Sequence, residues 1–151
     1  MRTIATIEAR MISSRLPGKV LLPASGMPML QHLIKRLRAV PSLDGIVLAT
    51  TVNETDNPLE EFASDMGISC FRGSEEDVMS RVIGAASSVH AELIVEITGD
   101  SPFVDCDVID QTIEMYLSGN CDYVSNTLTR TYPITIQFII EAINSNYISS
   151  D

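Results

Sequence analysis

The sequence predicts an α/β protein in which helices cover both faces of a mostly parallel, doubly wound sheet. Short apolar runs, typical of buried parallel strands, alternate with segments whose apolar residues recur at helical spacing. Such an alternation is typical of right-handed strand–helix–strand units. The chain has 151 residues, of which 45% are hydrophobic. This is the size of one domain with a single core.

Five strands are predicted, over residues 3–8, 45–51, 68–71, 93–97 and 123–125. The fourth reads Leu-Ile-Val-Glu-Ile and is expected to be central, because a strand buried on both faces is almost uniformly apolar. Past residue 130 the pattern is weaker. Residues 131–140 are β-rich, and residues 141–151 are expected to form a short helix or a frayed tail.

Four helices are predicted between these strands. The first begins near Pro28 and presents one apolar face, because its leucines and isoleucine recur at i, i+3, i+4 and i+7. Ser74 is the expected N-terminal cap of the third helix. The fourth is expected over 107–118, with Leu117 among its inward residues. The second begins at Asn57 and ends at Gly67.

Charge and composition exclude several classes of protein. The formal net charge is −10, whereas a nucleic-acid surface needs a basic face. No apolar run approaches the roughly 20 residues that span a bilayer, and no signal peptide is expected at the N-terminus. Three widely spaced cysteines predict a reduced, cytoplasmic protein without a cysteine metal site.

Residues 9–19, Ala-Arg-Met-Ile-Ser-Ser-Arg-Leu-Pro-Gly-Lys, follow the first strand and are called the signature loop here. Four of the ten Lys and Arg residues of the chain lie in its first nineteen positions. A short loop that combines cations, hydroxyls and exposed backbone N–H groups suits a polyphosphate. An ordinary turn with solvated arginines fits the same spacing equally well.

Asp100 directly follows the predicted central strand. A carboxylate held on a rigid element suits Mg²⁺, a hard cation that prefers oxygen ligands. An Asx-type turn before Pro102 explains the same residue equally well. Residues 73–77 are expected to form a helix cap, and the backbone of Gly73 and Ser74 is a candidate to face a nucleobase edge as well. Because parallel strands end at one edge of the sheet, these segments and the signature loop are expected to converge there.

The motifs together resemble those of the sugar-activating cytidylyltransferases, the CMP-KDO and acylneuraminate synthetases. The likeness is closest to relatives of the spore coat polysaccharide biosynthesis protein F type. It covers residues 1 to about 133, with the motifs in family order. The matching stretches are the signature loop and residues 49–51, 71–78, 97–102, 122–127 and 130–133.

The resemblance implies a nucleotide-diphospho-sugar transferase-like α/β/α sandwich. It also implies transfer of CMP from CTP to a small sugar of the sugar-acid class, with release of pyrophosphate. The implied role is surface polysaccharide biosynthesis. Arg10, Lys19 and Asp100 would be the catalytic residues, and Asp100 would bind Mg²⁺. The residues that would bind the nucleotide are Ala9, Arg10, Met11, Arg15 and Lys19 around the triphosphate, and Thr50, Gly73 and Ser74 around the cytidine.

The likeness ends after Pro133. Where the family has a second metal-binding carboxylate, this chain has Gln137, a neutral and weaker ligand. We therefore expect one nucleotidyltransferase domain over 1–151, shortened relative to the family, with a divergent segment at 134–151. A homodimer is a further expectation. The alternatives are a nucleotide-binding member without turnover and a glycosyltransferase on the same fold.

Overall fold

The computed structural model describes residues 1–119 and 121–126, and the backbone of 140–144. Four α-helices lie within these residues: α1 (Met29–Leu37), α2 (Asn57–Asp65), α3 (Val78–Ser88) and α4 (Cys106–Ser118). The strands are β1 (Thr3–Glu8), β2 (Pro23–Ala24), β3 (Met27–Pro28), β4 (Gly45–Thr51), β5 (Ser69–Gly73), β6 (Leu93–Thr98), β7 (Tyr123–Ser125) and β8 (Ile140–Asn144).

Six of these strands form one sheet in the order β5-β4-β1-β6-β8-β7. The first four are parallel, and β8 runs antiparallel to both β6 and β7. The predicted α/β class with a mostly parallel sheet is therefore confirmed, as is the central place of β6. A separate hairpin joins β2 to β3. Its turn at Ser25 and Gly26 has positive φ at both residues, as a tight hairpin turn requires.

Helices cover both faces of the sheet, as a doubly wound fold requires. On one face α3 packs Val82, Ala85 and Ala86 against Ile4 and Val47. The larger apolar cluster lies on the other face, where α1, α2 and α4 pack on residues of β1, β4 and β6. The alternation along the strands decides which residue enters which cluster. None of the helices within the described residues is long and apolar enough to cross a membrane.

Two sequence predictions about helix α4 and the C-terminal segment are wrong. Leu117 is 55% exposed rather than inward, because the helical spacing sets it at the edge of the face that Ile109, Thr112 and Tyr116 bury. Residues 141–144, expected to form a helix or a frayed tail, belong instead to the antiparallel strand β8 beside β6, since pairing with a central strand satisfies their backbone groups. The predictions for residues 127–139 and 145–151 lie outside the described residues.

The N-terminal cap of α3 is also different from the predicted one. The helix begins at Val78, and the carboxylate of Asp77 accepts a hydrogen bond of 2.8 Å from the Ser80 N–H. The hydroxyl of Ser74 instead accepts the N–H of Asp77 at 3.0 Å, one turn earlier. Ser74 therefore shapes the turn that leads into the helix, and the capping residue is Asp77.

The cap can be tested with two substitutions at one position. Asp77→Ala should lower the free energy of unfolding by about 1 kcal/mol, because the Ser80 N–H loses its acceptor at the helix start. Asp77→Ser should retain most of the stability, since serine is also a good cap. Urea unfolding of both variants measures the difference. Equal stability of the alanine and serine variants would contradict this assignment.

Candidate active site

A cavity of about 270 Å³ opens at the carboxyl ends of β1 and β6. Three segments line it: the end of β1 with the signature loop, the start of α3, and the turn after β6. In open α/β sheets, ligands bind beyond the carboxyl ends of the strands. The lining residues are Glu8, Ala9, Arg10, Ile12, Ser13, Lys19 and Val20, then Val78 and Arg81, then Thr98, Gly99 and Asp100.

Gly99 brings two of these segments into contact. Its N–H donates a hydrogen bond of 2.8 Å to the carbonyl of Glu8. A Cβ atom at this position would lie 2.8 Å both from the Ala9 Cβ and from that carbonyl oxygen. Both distances are shorter than real contacts allow, so a side chain here would push the two strand ends apart. Glycine therefore sets Asp100 directly beside the signature loop.

The signature loop is closed at its base by two hydrogen bonds. The Gly18 N–H donates to the carbonyl of Met11 at 2.7 Å, and Gly18 adopts a left-handed φ of 68°. The Met11 N–H donates to the Asp56 carboxylate at 2.7 Å. Residues 12–17 project from this closed base, with Ile12 and Leu16 about half exposed. The base of the loop is thus fixed while its outer part faces solvent.

Asp56 is the anchor of that base and is almost fully buried. Besides Met11, it accepts hydrogen bonds from the hydroxyls of Thr50 and Thr51 and from the Thr51 N–H. Burial alone would raise the pKa of Asp56, but the hydrogen bonds from Thr51, Met11 and Thr50 outweigh it and lower the pKa below its usual value. An ionised carboxylate therefore joins the signature loop to the end of β4.

Lys19 and Asp100 form an ion pair across the cavity, between the Lys19 Nζ and the Asp100 Oδ2. The hydrogen bond from Lys19 lowers the pKa of Asp100 below its usual value, although partial burial opposes this. Arg10 lines the same cavity and is exposed. Among the described residues, no carboxylate pairs with Arg10. Its guanidinium is therefore available to an anionic ligand.

Of the residues implicated by the resemblance, four line this cavity: Ala9, Arg10, Lys19 and Asp100. The others lie around it. The Met11 N–H is bonded to Asp56, and Arg15 is exposed on the outer part of the loop. Thr50 is fully buried, and its hydroxyl donates to Asp56 at 3.1 Å. Gly73 ends β5, and Ser74 lies in the turn before α3.

Three residues of the site were not singled out from the sequence: Glu8, Asp56 and Arg81. The sequence pattern could have identified Arg81, because this residue falls on the helical stripe of Val78, Val82 and Ala85, where a charged residue is unexpected. Asp56 had a weaker signal, since it follows a strand at the edge where ligands bind. Glu8 ends a strand, where a polar residue is ordinary, and only the tertiary structure places it in the cavity.

The oxygen donors of the cavity fit a divalent cation that is coordinated mainly by a bound anionic ligand and by water. Within the described part of the chain, no group of three or more His, Cys, Asp and Glu residues is arranged to hold a metal. Asp100 and Glu8 are the carboxylates that line the cavity, and the Glu8 carboxylate faces the Arg81 guanidinium. Mg²⁺ is usually held by one or two carboxylates together with phosphates and water. Asp100, the more exposed of the two carboxylates, is consistent with that mode of binding.

The sequence matches the model of a protein family described as cytidylyltransferase, over residues 4–135. The chain belongs to the cytidylyltransferase family. The predicted resemblance is thereby confirmed, and so is the expectation that the fold is that of a nucleotidyltransferase. A cytidylyltransferase from Leptospira borgpetersenii has the same fold, with a TM-score of 0.88 and 32% identity. The match covers 98% of this chain and 62% of that one.

Two further members of the cytidylyltransferase family show how far the likeness extends. The spore coat polysaccharide biosynthesis protein SpsF of Bacillus subtilis is 40% identical over 121 residues, which are 78% of this chain and 50% of that protein. A 3-deoxy-manno-octulosonate cytidylyltransferase of Pelobacter propionicus is 33% identical over 119 residues, which are 78% of this chain and 45% of that enzyme. The chain thus spans about half the length of these relatives.

The anchoring of the signature loop can be tested by Asp56→Asn. An amide NH₂ would face groups that are themselves donors, so the free energy of unfolding at pH 7 should fall by about 2 kcal/mol. The control is Asp65→Asn, at the exposed end of α2, where the change should be within about 0.5 kcal/mol. Denaturant unfolding of both variants measures the difference.

The lowered pKa of Asp56 also predicts that the effect of Asp56→Asn on stability depends on pH. Because the pKa of Asp56 is lowered in the folded state, its ionised form adds stability that is fully present above the unfolded pKa of about 3.9. That stability is lost as the pH falls through the lower folded pKa. The difference between wild type and Asp56→Asn should therefore shrink below about pH 4. A difference that is constant from pH 7 to pH 3 would exclude the ionised anchor.

Proposed function

We propose that this protein transfers CMP from CTP to a hydroxyl of a small sugar of the sugar-acid class and releases pyrophosphate. The observation that supports this most directly is the Lys19–Asp100 pair, which faces the cavity at the carboxyl ends of β1 and β6. It puts a cation for phosphate and a carboxylate for a metal side by side. The names of the family and of the Pelobacter propionicus relative give a cytidylyltransferase, and the name of SpsF gives polysaccharide biosynthesis.

In this proposal the signature loop binds the triphosphate. Arg10 and Lys19 supply positive charge, and Arg15 lies farther out on the loop. Several amides of the loop already donate within the protein: Ala9 to the carbonyl of Ala49, Met11 to Asp56, Gly18 to Met11 and Lys19 to Leu16. Within the described residues the Arg10 amide has no such partner. We therefore assign the Arg10 N–H, together with its guanidinium, to a phosphate oxygen.

Asp100 is the proposed ligand of Mg²⁺. When bound, the metal neutralises charge on the transferring and leaving phosphate oxygens. For Asp100 to bind it through Oδ2, the oxygen that Lys19 now contacts, the Lys19 ammonium would move away, and the triphosphate offers that ammonium a new partner. The cytidine is assigned to the side of the cavity toward Thr50, Gly73 and Ser74, although none of these three lines it directly.

The reaction requires little chemistry from the side chains. An oxygen of the sugar hydroxyl attacks the α-phosphorus in line, and the bond from that phosphorus to the bridging oxygen of pyrophosphate breaks. The hydroxyl proton passes to solvent. Catalysis then depends on positioning and on stabilising the charge of the leaving group. That agrees with a cavity whose described lining includes cations and carboxylates.

The wider role is proposed with the reaction. Surface polysaccharide biosynthesis in the cytoplasm, one nucleotidyltransferase domain over residues 1–151 and a homodimer are all part of the proposal. A second candidate function is nucleotide binding without turnover. This candidate is favoured by Gln137, a neutral residue at the position where the resemblance implies a second carboxylate. Gln137 lies outside the described residues.

The transfer can be tested by pyrophosphate release from CTP with Mg²⁺ and a panel of sugar acids that includes 3-deoxy-manno-octulosonate. Asp100→Asn should reduce the rate by about 100-fold or more, because charge on the leaving group loses its compensation. Asp107→Asn, an exposed residue of α4, is the matched control and should keep the wild-type rate. An Asp100→Asn variant as fast as the control would contradict the role of Asp100.

Binding of CTP separates the two candidate functions. Lys19→Met should weaken CTP binding by about tenfold, because one phosphate loses a charged donor. Lys35→Met, an exposed residue of α1, is the control. Both candidates predict this loss, which a shift in melting temperature can follow. Only the transferase also predicts pyrophosphate release that depends on the sugar, and an unchanged Lys19→Met would contradict both.

A further inference from the structure

Arg81 is a charged residue on the inward face of α3. Only 3% of it is exposed, and its neighbours Val82, Ala85 and Ala86 are core residues. A guanidinium in such a place is costly unless its charge is compensated. Where a buried pair serves only packing, apolar residues of similar volume do as well or better. The charge of Arg81 therefore calls for a local explanation.

The contacts of Arg81 run in two directions. Its Nη1 donates to the carbonyl oxygens of Ser74 and Glu75, in the turn before α3. Its Nη2 lies 3.6 Å from Oε2 of Glu8, the last residue of β1. The stem of Arg81 packs on Gly73, where a Cβ atom would lie 3.1 Å from the Arg81 Cγ. One side chain thus joins the end of β1 to the segment after β5.

Both members of this pair line the cavity that holds Arg10, Lys19 and Asp100. The Glu8 side chain is 27% exposed. An uncompensated carboxylate at that position would repel a polyphosphate. The guanidinium lies directly behind it and keeps one buried donor, Nε, without a hydrogen-bond partner among the described residues. The geometry is that of a cation that offsets one carboxylate of an anion site.

We propose that Arg81 is a positioning residue that neutralises Glu8 and thereby allows the cavity to bind a polyphosphate. The inference rests on the proposed function, since it takes the ligand of the cavity to be a nucleoside triphosphate. Arg81 does not touch the ligand. It sets the charge of the cavity floor and holds the Ser74–Glu75 backbone against it, while Arg10 and Lys19 make the phosphate contacts.

A double-mutant cycle tests the charge compensation. Arg81→Met should weaken binding of CTP and of inorganic triphosphate by about tenfold, the scale of one charge pair in a partly exposed site. Adding Glu8→Gln should restore most of the affinity, because the repelling charge is gone. A role of Arg81 in packing alone would not be rescued by a change at Glu8. Arg2→Met, at the opposite edge of the sheet, controls for net charge.

Further measurements keep the outcomes apart. Glu8→Gln alone should tighten binding of inorganic triphosphate severalfold, and it tests the proposal even if Arg81→Met does not fold. Binding of cytidine, which lacks charge, should change little in any variant. A wild type that binds inorganic triphosphate but not CTP would refute the proposed nucleotide and leave this inference standing. Unchanged triphosphate binding in both Glu8→Gln and Arg81→Met, or none in the wild type, would overturn the inference.

Discussion

The close approach of two strand ends at Gly99 determines what the rest of the cavity can do. The parallel pairing of β1 with β6 continues one residue past the end of β6, through the bond from the Gly99 N–H to the carbonyl of Glu8. Because a Cβ atom would not fit there, the next residue, Asp100, meets the signature loop at Lys19. A backbone constraint, rather than the attraction of two exposed charges, thus makes the ion pair. Exposed pairs by themselves are worth about 1 kcal/mol or less.

A second constraint fixes the loop on its other side. Asp56 reaches the site from the turn after β4 and satisfies four donors, including the Met11 N–H. Carboxylates that accept several hydrogen bonds are strong anchors, because each donor would otherwise be buried without a partner. The loop is consequently tied to β4 through Asp56 and to β6 through Asp100. Binding sites held from two strands lose less entropy on binding a ligand than free loops do.

The sequence predicts well whatever depends on local pattern. The periodicity of β1, β4 and β6 and the ends of α2 could be read from neighbouring residues. The cap of α3 lies one turn later than predicted, because Ser74 and Asp77 are both good capping residues and the local pattern does not choose between them. Glu8 and Arg81 could not be assigned to the site, since they meet through tertiary contacts across β4.

The charges explain how an acidic protein can offer a site to a polyanion. The net charge of −10 disfavours the approach of a triphosphate at long range, but salt screens this effect beyond about 8–10 Å. Within that distance, the positions of Arg10, Lys19 and Arg81 matter more for ligand binding than the net charge of the chain. Two of these cations already face carboxylates, Asp100 and Glu8. The charges that line the cavity are therefore nearly balanced. In the proposed function, a triphosphate binds by redistributing these ion pairs and does not require a strongly basic surface.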